Sequence, residues 1–265
     1  MHLDLSGGDL DFRQSPDGHR PTIRLANLNK NLQHLSLEDI AVNTDGLSFE
    51  GNFGFPALKY LNFYPSDQGV PGSNTAAFRY FCTNSSKLEE IHFDGNYSND
   101  NQCYDKSTRN QVSLRTIVSS IGPLDKRPSL RTLSLLNWDH TFEPQTTVLR
   151  LFNSFYNLEK INLENVALRA AQLPFAELLR FVDGNLKLKR LELGMNDLDS
   201  QSMWDLIHIM DCKSGIEELD LGFCAWRFAI HREVWPLGGL GDPDGLIHRS
   251  QFPKFIKQLK KHAEF

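Results

Sequence analysis

The sequence predicts an α/β solenoid, a right-handed horseshoe of short parallel strands returned by helices or irregular crossovers on its convex side. Two observations predict it. A six-residue pattern recurs seven times: an aliphatic residue, two variable ones, an aliphatic, one variable, then an apolar residue. Between those copies, apolar residues fall at helical spacing.

The copies are Leu32-Leu35-Leu37, Leu58-Leu61-Phe63, Leu88-Ile91-Phe93, Leu130-Leu133-Leu135, Leu158-Ile161-Leu163, Leu188-Leu191-Leu193 and Ile216-Leu219-Leu221. A partial copy, Leu3 and Leu5, precedes them. Their starts lie 26, 30, 42, 28, 30 and 28 residues apart, so one spacing exceeds its neighbours by a loop's length. The excess falls on residues 96–108, a polar stretch read as an insertion. Alternation in each copy puts its last two apolar side chains on one side of a strand. A single repeat cannot bury that side, whereas a stack of repeats buries it as a continuous core.

The intervening stretches supply the returns. Thr146 to Tyr156, Pro174 to Val182 and Gln201 to Met210 carry helical stripes, and Ala76 to Phe81 and Val112 to Ile121 are shorter candidates. Ser200 is placed to cap the third of these. Asp45 to Phe55 holds three glycines and reads as an irregular crossover. The repeats therefore fill 1–221. The remainder, 222–265, reads as a turn-rich loop and a capping helix around Phe252, Phe255, Ile256 and Leu259.

Seven copies in near-register resemble leucine-rich repeat proteins over nearly the whole chain. The family often places Asn three residues after the last strand leucine, where it satisfies turn backbone. Asn96 and Asn196 stand there, with Cys224 an accepted variant, while Ile40, Ser66, Trp138 and Val166 fill the place in other repeats. The broken ladder and the long repeats resemble intracellular types. The phrase Asn157 to Leu168 is most similar to the repeat half of fungal-type F-box proteins. That resemblance implies substrate recognition for a ubiquitin ligase, whose adaptor would be bound by a region outside these repeats.

Composition narrows the function classes. Hydrophobic residues make up 40% and charged residues 23%, a globular balance, and 18 phenylalanines supply large, rigid core plugs. A net charge of −5 argues against a general nucleic-acid binder. No apolar run reaches the roughly 18 residues of a membrane helix, and the first residues lack a signal-peptide pattern. The chain is expected inside the cell, in the cytoplasm or nucleus, with its four cysteines reduced. No CxxC pair, H-E-x-x-H, G-x-S-x-G or complete G-x-G-x-x-G is present, so no catalytic residue, metal or cofactor is expected. The Asp94 to Asn99 stretch lacks the glycine and glutamate of a calcium loop.

The variable residues between the inward leucines should face outward along the concave side. Three such columns through the repeats hold eight acids, Asp4, Glu38, Glu90, Asp94, Glu164, Glu192, Glu218 and Asp220, against two bases, Lys160 and Arg190. An acidic face favours a basic segment of a protein partner. Tyr60 and Tyr64, with Trp138 further along, are aromatic anchors of the kind interfaces use. The candidate protein-binding residues are therefore Tyr60, Tyr64, Glu90, His92, Asp94, Trp138, Arg190 and Glu192. The expected function is a non-catalytic interaction module. The alternatives are a stand-alone scaffold or inhibitor-type repeat protein and, least favoured because no paired catalytic groups occur, a loop-borne hydrolase.

Overall fold

A computed structural model describes residues 2–4, 31–40, 55–65, 73–94, 114–122, 129–137, 157–166, 173–194, 196, 198, 200–212, 215–221, 246–254 and 257. It falls into two compact units, Met1–Leu130 and Arg131–Phe265. Trp138, the insertion near 96–108, the helix expected over 146–156 and the glycine-rich stretch after Pro236 lie outside the described residues.

The first unit holds strands β1 (His2–Asp4), β2 (His34–Ile40), β3 (Tyr60–Pro65) and β4 (Glu90–Asp94). Each pairs in parallel with the next, and the register matches the repeat pattern: Leu3, Leu35, Leu61 and Ile91 stand side by side. So do Leu37, Phe63 and Phe93. Helices α1 (Ser73–Asn84) and α2 (Leu114–Ile121) lie beside one another. α1 is longer than the stripe from Ala76 to Phe81 predicts, because its last turn is buried through Phe81 and Cys82 rather than ending at Phe81.

The core of this unit contains an aromatic cluster. Phe63 and Phe93 from adjacent strands stack at 6.1 Å, and Phe78 of α1 meets Phe93 edge-on at 5.5 Å. Phe55 meets Phe81 at 5.7 Å. Such pairs add about 0.5–1.5 kcal/mol each beyond the burial of their area. Burial holds Tyr80 in its neutral form and pushes its phenol pKa up.

The second unit holds β5 (Thr132–Leu136), β6 (Lys160–Asn162), β7 (Arg190–Glu192) and β8 (Glu218–Asp220), again parallel and in repeat register. Leu133, Ile161, Leu191 and Leu219 form its buried row. Helices α3 (Leu173–Gly184) and α4 (Ser200–Cys212) lie side by side and bury Leu178, Val182, Leu206 and Met210. Among the described residues this core buries fewer aromatic rings than the first. Both units are stacks of parallel strands in repeat register with accompanying helices.

A ninth strand, β9 (Leu246–His248), lies within the segment expected to be loop and helix. It runs antiparallel to β8, with Ile247 opposite Leu219. Ile247 and Phe252 are buried, and residues 252–254 are helical.

Turn backbone is satisfied by asparagines. Asn196 is buried, donates to the carbonyls of Leu163 at 2.7 Å and Leu193 at 2.9 Å, and accepts from the Val166 amide at 3.2 Å. That is the role its place in the repeat predicts. Asn137 and Asn165 form a second, unpredicted set. Both adopt left-handed backbone, φ 50° and 52°, which Asn tolerates better than most residues. The Asn165 side chain donates to that of Asn137 at 2.9 Å.

Candidate functional site

Alternation of buried and half-exposed residues sets the outward face of the first unit. On β4, Ile91 and Phe93 are buried while Glu90, His92 and Asp94 are not. On β3, Leu61 and Phe63 are buried while Tyr60, Asn62 and Tyr64 are half-buried. Tyr60, Tyr64, Glu90, His92 and Asp94 therefore share one face, as the sequence predicts.

Parallel register brings rings together across this face. His34, Tyr60 and Glu90 occupy one row, and His92 stands in the next row beside Asn62. The Tyr60 ring lies 5.5 Å from His34, nearly parallel at 29°, and 5.0 Å from His92 at 36°. A tyrosine is thus bracketed by two imidazoles, each on a neighbouring strand. His92 Nε2 sits 3.4 Å from a Glu90 carboxylate oxygen. The Glu90 side chain is 47% exposed, so its carboxylate still meets solvent. Asn62 donates to the Ser36 hydroxyl at 3.1 Å and fixes the middle of the face.

The corresponding face of the second unit is organised differently. Arg190 donates to Glu192 on its own strand and, at 2.7 Å, to Glu218 on β8. Lys160 Nζ reaches the same Glu192 carboxylate at 2.8 Å. His248 of β9 lies 3.7 Å from Glu218. Burial alone would lower the Arg190 pKa, but the charges and hydrogen bonds of Glu192 and Glu218 outweigh it and raise that pKa above its ordinary value. Glu192 is only 8% exposed, so the expectation of an outward acid ready for a partner does not hold there. The sequence columns count charges but not the pairings that cancel them. Lys160 and Arg190 are spent on Glu192 and Glu218.

Just before the strands runs a second, exposed column of alternating sign. Lys59 pairs with Glu89 at 2.8 Å and Arg131 with Glu159 at 3.3 Å, while Lys189 lies 3.9 Å from Glu159. Exposed pairs of this kind contribute about 0–1 kcal/mol each. Among the described residues no group of three or more His, Cys, Asp or Glu side chains could hold a metal ion. Among them, too, no helix is long and apolar enough to cross a membrane.

Sequence reasoning placed His34 in the outward column but not in the site. The signal was available: His34 and Tyr60 fill the same place in successive repeats, which puts their rings one strand apart. Arg190 and Glu192 are brought together with each other and with Lys160 and Glu218.

No protein-family model matches this sequence, and no curated protein matches it by sequence. Solved structures do. Human 5T4, described as a Wnt-activated inhibitory factor and trophoblast glycoprotein, aligns over 78% of this chain and 73% of its own, with 16% identity and a TM-score of 0.42. The tropomodulin C-terminal domain of Caenorhabditis elegans aligns over 51% of this chain and 87% of its own, with 14% identity and a TM-score of 0.35. A structure of leiomodin-1 actin-binding site 2 aligns over 51% of this chain, which spans 66% of that structure, with 11% identity and a TM-score of 0.33. The repeat fold itself is carried by this chain's own parallel register and its matching leucine rows.

Proposed function

We propose that this chain is a non-catalytic protein-binding repeat module whose partner docks on the outward face of β3 and β4. The observation that carries this reading is the ring ladder His34–Tyr60–His92 beside the half-exposed Glu90 carboxylate. Aromatic side chains lend a partner large contact area at small entropic cost, and tyrosine is a common anchor of such contacts. Sheet faces of repeat stacks are extended binding surfaces in this architecture.

The finer reading is substrate recognition for an F-box-type ubiquitin ligase. It draws on the likeness of Asn157 to Leu168 to fungal-type F-box repeats and on the long, irregular repeat spacing. A stand-alone scaffold or inhibitor-type protein is the alternative.

The test is affinity capture from cells with the full-length protein, followed by mass spectrometry, beside the double variant Tyr60→Ala, Glu90→Lys. A protein retained by the native face and lost by the variant supports the module. Equal retention by both places the contact elsewhere and overturns the proposed face. Ubiquitin-ligase adaptors among the captured proteins would favour the F-box reading, and their absence beside a retained partner would favour the scaffold.

A further inference from the structure

We infer that Gln251 is an edge block: its side chain occupies the backbone amide that β9 would otherwise offer to a further strand, and so keeps a second copy of this chain from pairing there. The edge in question is the outer one of β9, a feature independent of the binding face proposed above.

The direction of that amide follows from its neighbour. β9 runs antiparallel to β8, and the amide of Arg249, the residue after β9, donates to the Glu217 carbonyl at 2.8 Å. Successive amides of an extended chain point to opposite sides, so only alternate residues bond to a given neighbour. His248 is extended, with φ −78° and ψ 151°. Its amide therefore points away from β8, toward the outer edge. There it donates to Gln251 Oε1 at 2.9 Å. Among the described residues β9 is the last strand of the sheet, so this is the edge at which the sheet stops.

The local sequence builds the block. β9 ends in a 3-10 turn, Arg249–Gln251, which carries the chain into helical residues 252–254. Such a turn brings residues three apart over one another. The Gln251 carboxamide thus folds back on the His248 backbone, as the third residue of a capping box does. Burial of Ile247 and Phe252 anchors the turn at both ends. The Arg249 guanidinium adds a hold on the Ile216 carbonyl at 3.3 Å.

A second copy is the strand this edge would take. By the same alternation, the outward backbone groups of β9 belong to Leu246 and His248, on either side of Ile247. A two-fold axis at Ile247 sets Leu246 of each copy opposite His248 of the other, so the edge is complementary to itself. An antiparallel pair in that register uses the His248 amide of both copies. Natural sheets blunt edges of this kind with short strands and local side chains. β9 has three residues, and its outward His248 amide is already taken.

The test compares Gln251→Ala with Gln251→Glu, which keeps an accepting oxygen at the same reach. The whole chain is read by amide hydrogen exchange at His248 and Leu219 and by sedimentation over a concentration series. The Leu219 amide faces β9, so it reports whether β9 stays docked on β8. In dilute Gln251→Ala we expect exchange at His248 to rise about tenfold while Leu219 stays slow. At higher concentration that variant should associate, and protection of His248 should return. Gln251→Glu should keep a slow His248 amide and the native sedimentation. Native behaviour of Gln251→Ala in both measurements overturns the inference. So does a faster His248 amide without association, because the freed edge then recruits nothing. Association that leaves His248 fast places the contact elsewhere and overturns it too. Leu219 opening along with His248 would make Gln251 a clamp of β9 on β8, again against the inference.

Discussion

The Arg190 guanidinium donates through Nε to the carboxylate of Glu192, two residues along the same strand. The same guanidinium reaches Glu218 on the next strand, and Lys160 joins Glu192 from the other side. Glu192 is thus the hinge of a cross-strand network that ties β6, β7 and β8 together. A residue at an outward place of a repeat is normally replaceable at a cost within about 0.5 kcal/mol. This one is not expected to be. Glu192→Ala would leave two cations facing each other, each about a third exposed and so partly relieved by water. We expect a loss of about 1–3 kcal/mol in urea melts, below the figure for a fully buried ion pair. A loss below 0.5 kcal/mol would show that water replaces the carboxylate at little cost.

Leu191, between those two residues, is fully buried. Leu191→Ala should cost about 2–5 kcal/mol by the same measurement, because it removes contacts and leaves a cavity in the aliphatic row. A smaller loss would mean that the row collapses to fill the space.

Asn165 supplies a test of backbone conformation rather than of packing. At φ 52° an alanine is strained by about 1–2 kcal/mol, whereas glycine is not. Asn165→Ala should therefore lower the melting temperature more than Asn165→Gly, even though both lose the bond to Asn137. Equal melting temperatures would assign the whole effect to that side-chain bond.

The repeat core was legible because leucine periodicity reports burial directly. Leu35, Leu61 and Ile91 stand side by side as their spacing predicts, and so do Ile161, Leu191 and Leu219. The Asn196 role was legible too, since the place in the repeat dictates which carbonyls it meets. Glu192 was misread because a column of outward residues records sign but not pairing distance. Asn137 and Asn165 were overlooked because a positive φ leaves no hydrophobic signal. Their recurrence at the same place in two successive repeats was the clue. β9 escaped notice because three residues, Leu246 to His248, are too short to show a period, and their strand identity comes from the β8 edge they meet.

Tyr80 gives the stability of the first unit a pH dependence. Burial raises its folded-state pKa above the ordinary tyrosine value. The sign follows from linkage: the folded state keeps its phenol proton after the unfolded chain has begun to lose it. The contribution of Tyr80 is complete below about pH 10 and is lost as pH rises through the folded-state value. Tyr80→Phe should flatten the decline of stability above about pH 10, read from melts at stepped pH. An alkaline decline of unchanged slope would mean that the phenol gains access to water before the protein unfolds.

The β8 edge provides the last prediction. β9 covers it antiparallel, aided by the Arg249 amide bonding to the Glu217 carbonyl at 2.8 Å and its guanidinium reaching the Ile216 carbonyl at 3.3 Å. Ile247 and Phe252 add buried apolar surface there. An uncovered strand edge presents a row of amides and carbonyls ready to pair with another chain. Truncation before Leu246 should therefore expose the β8 backbone and the apolar surface beside it. We expect concentration-dependent association by light scattering, together with faster hydrogen exchange at the Leu219 amide, which faces β9 opposite Ile247. The milder change Ile247→Ala, which keeps the strand but thins its packing, should raise exchange at the same amide with less association. A truncated chain that stays monomeric and retains slow exchange at β8 would mean that β9 is not what protects this edge.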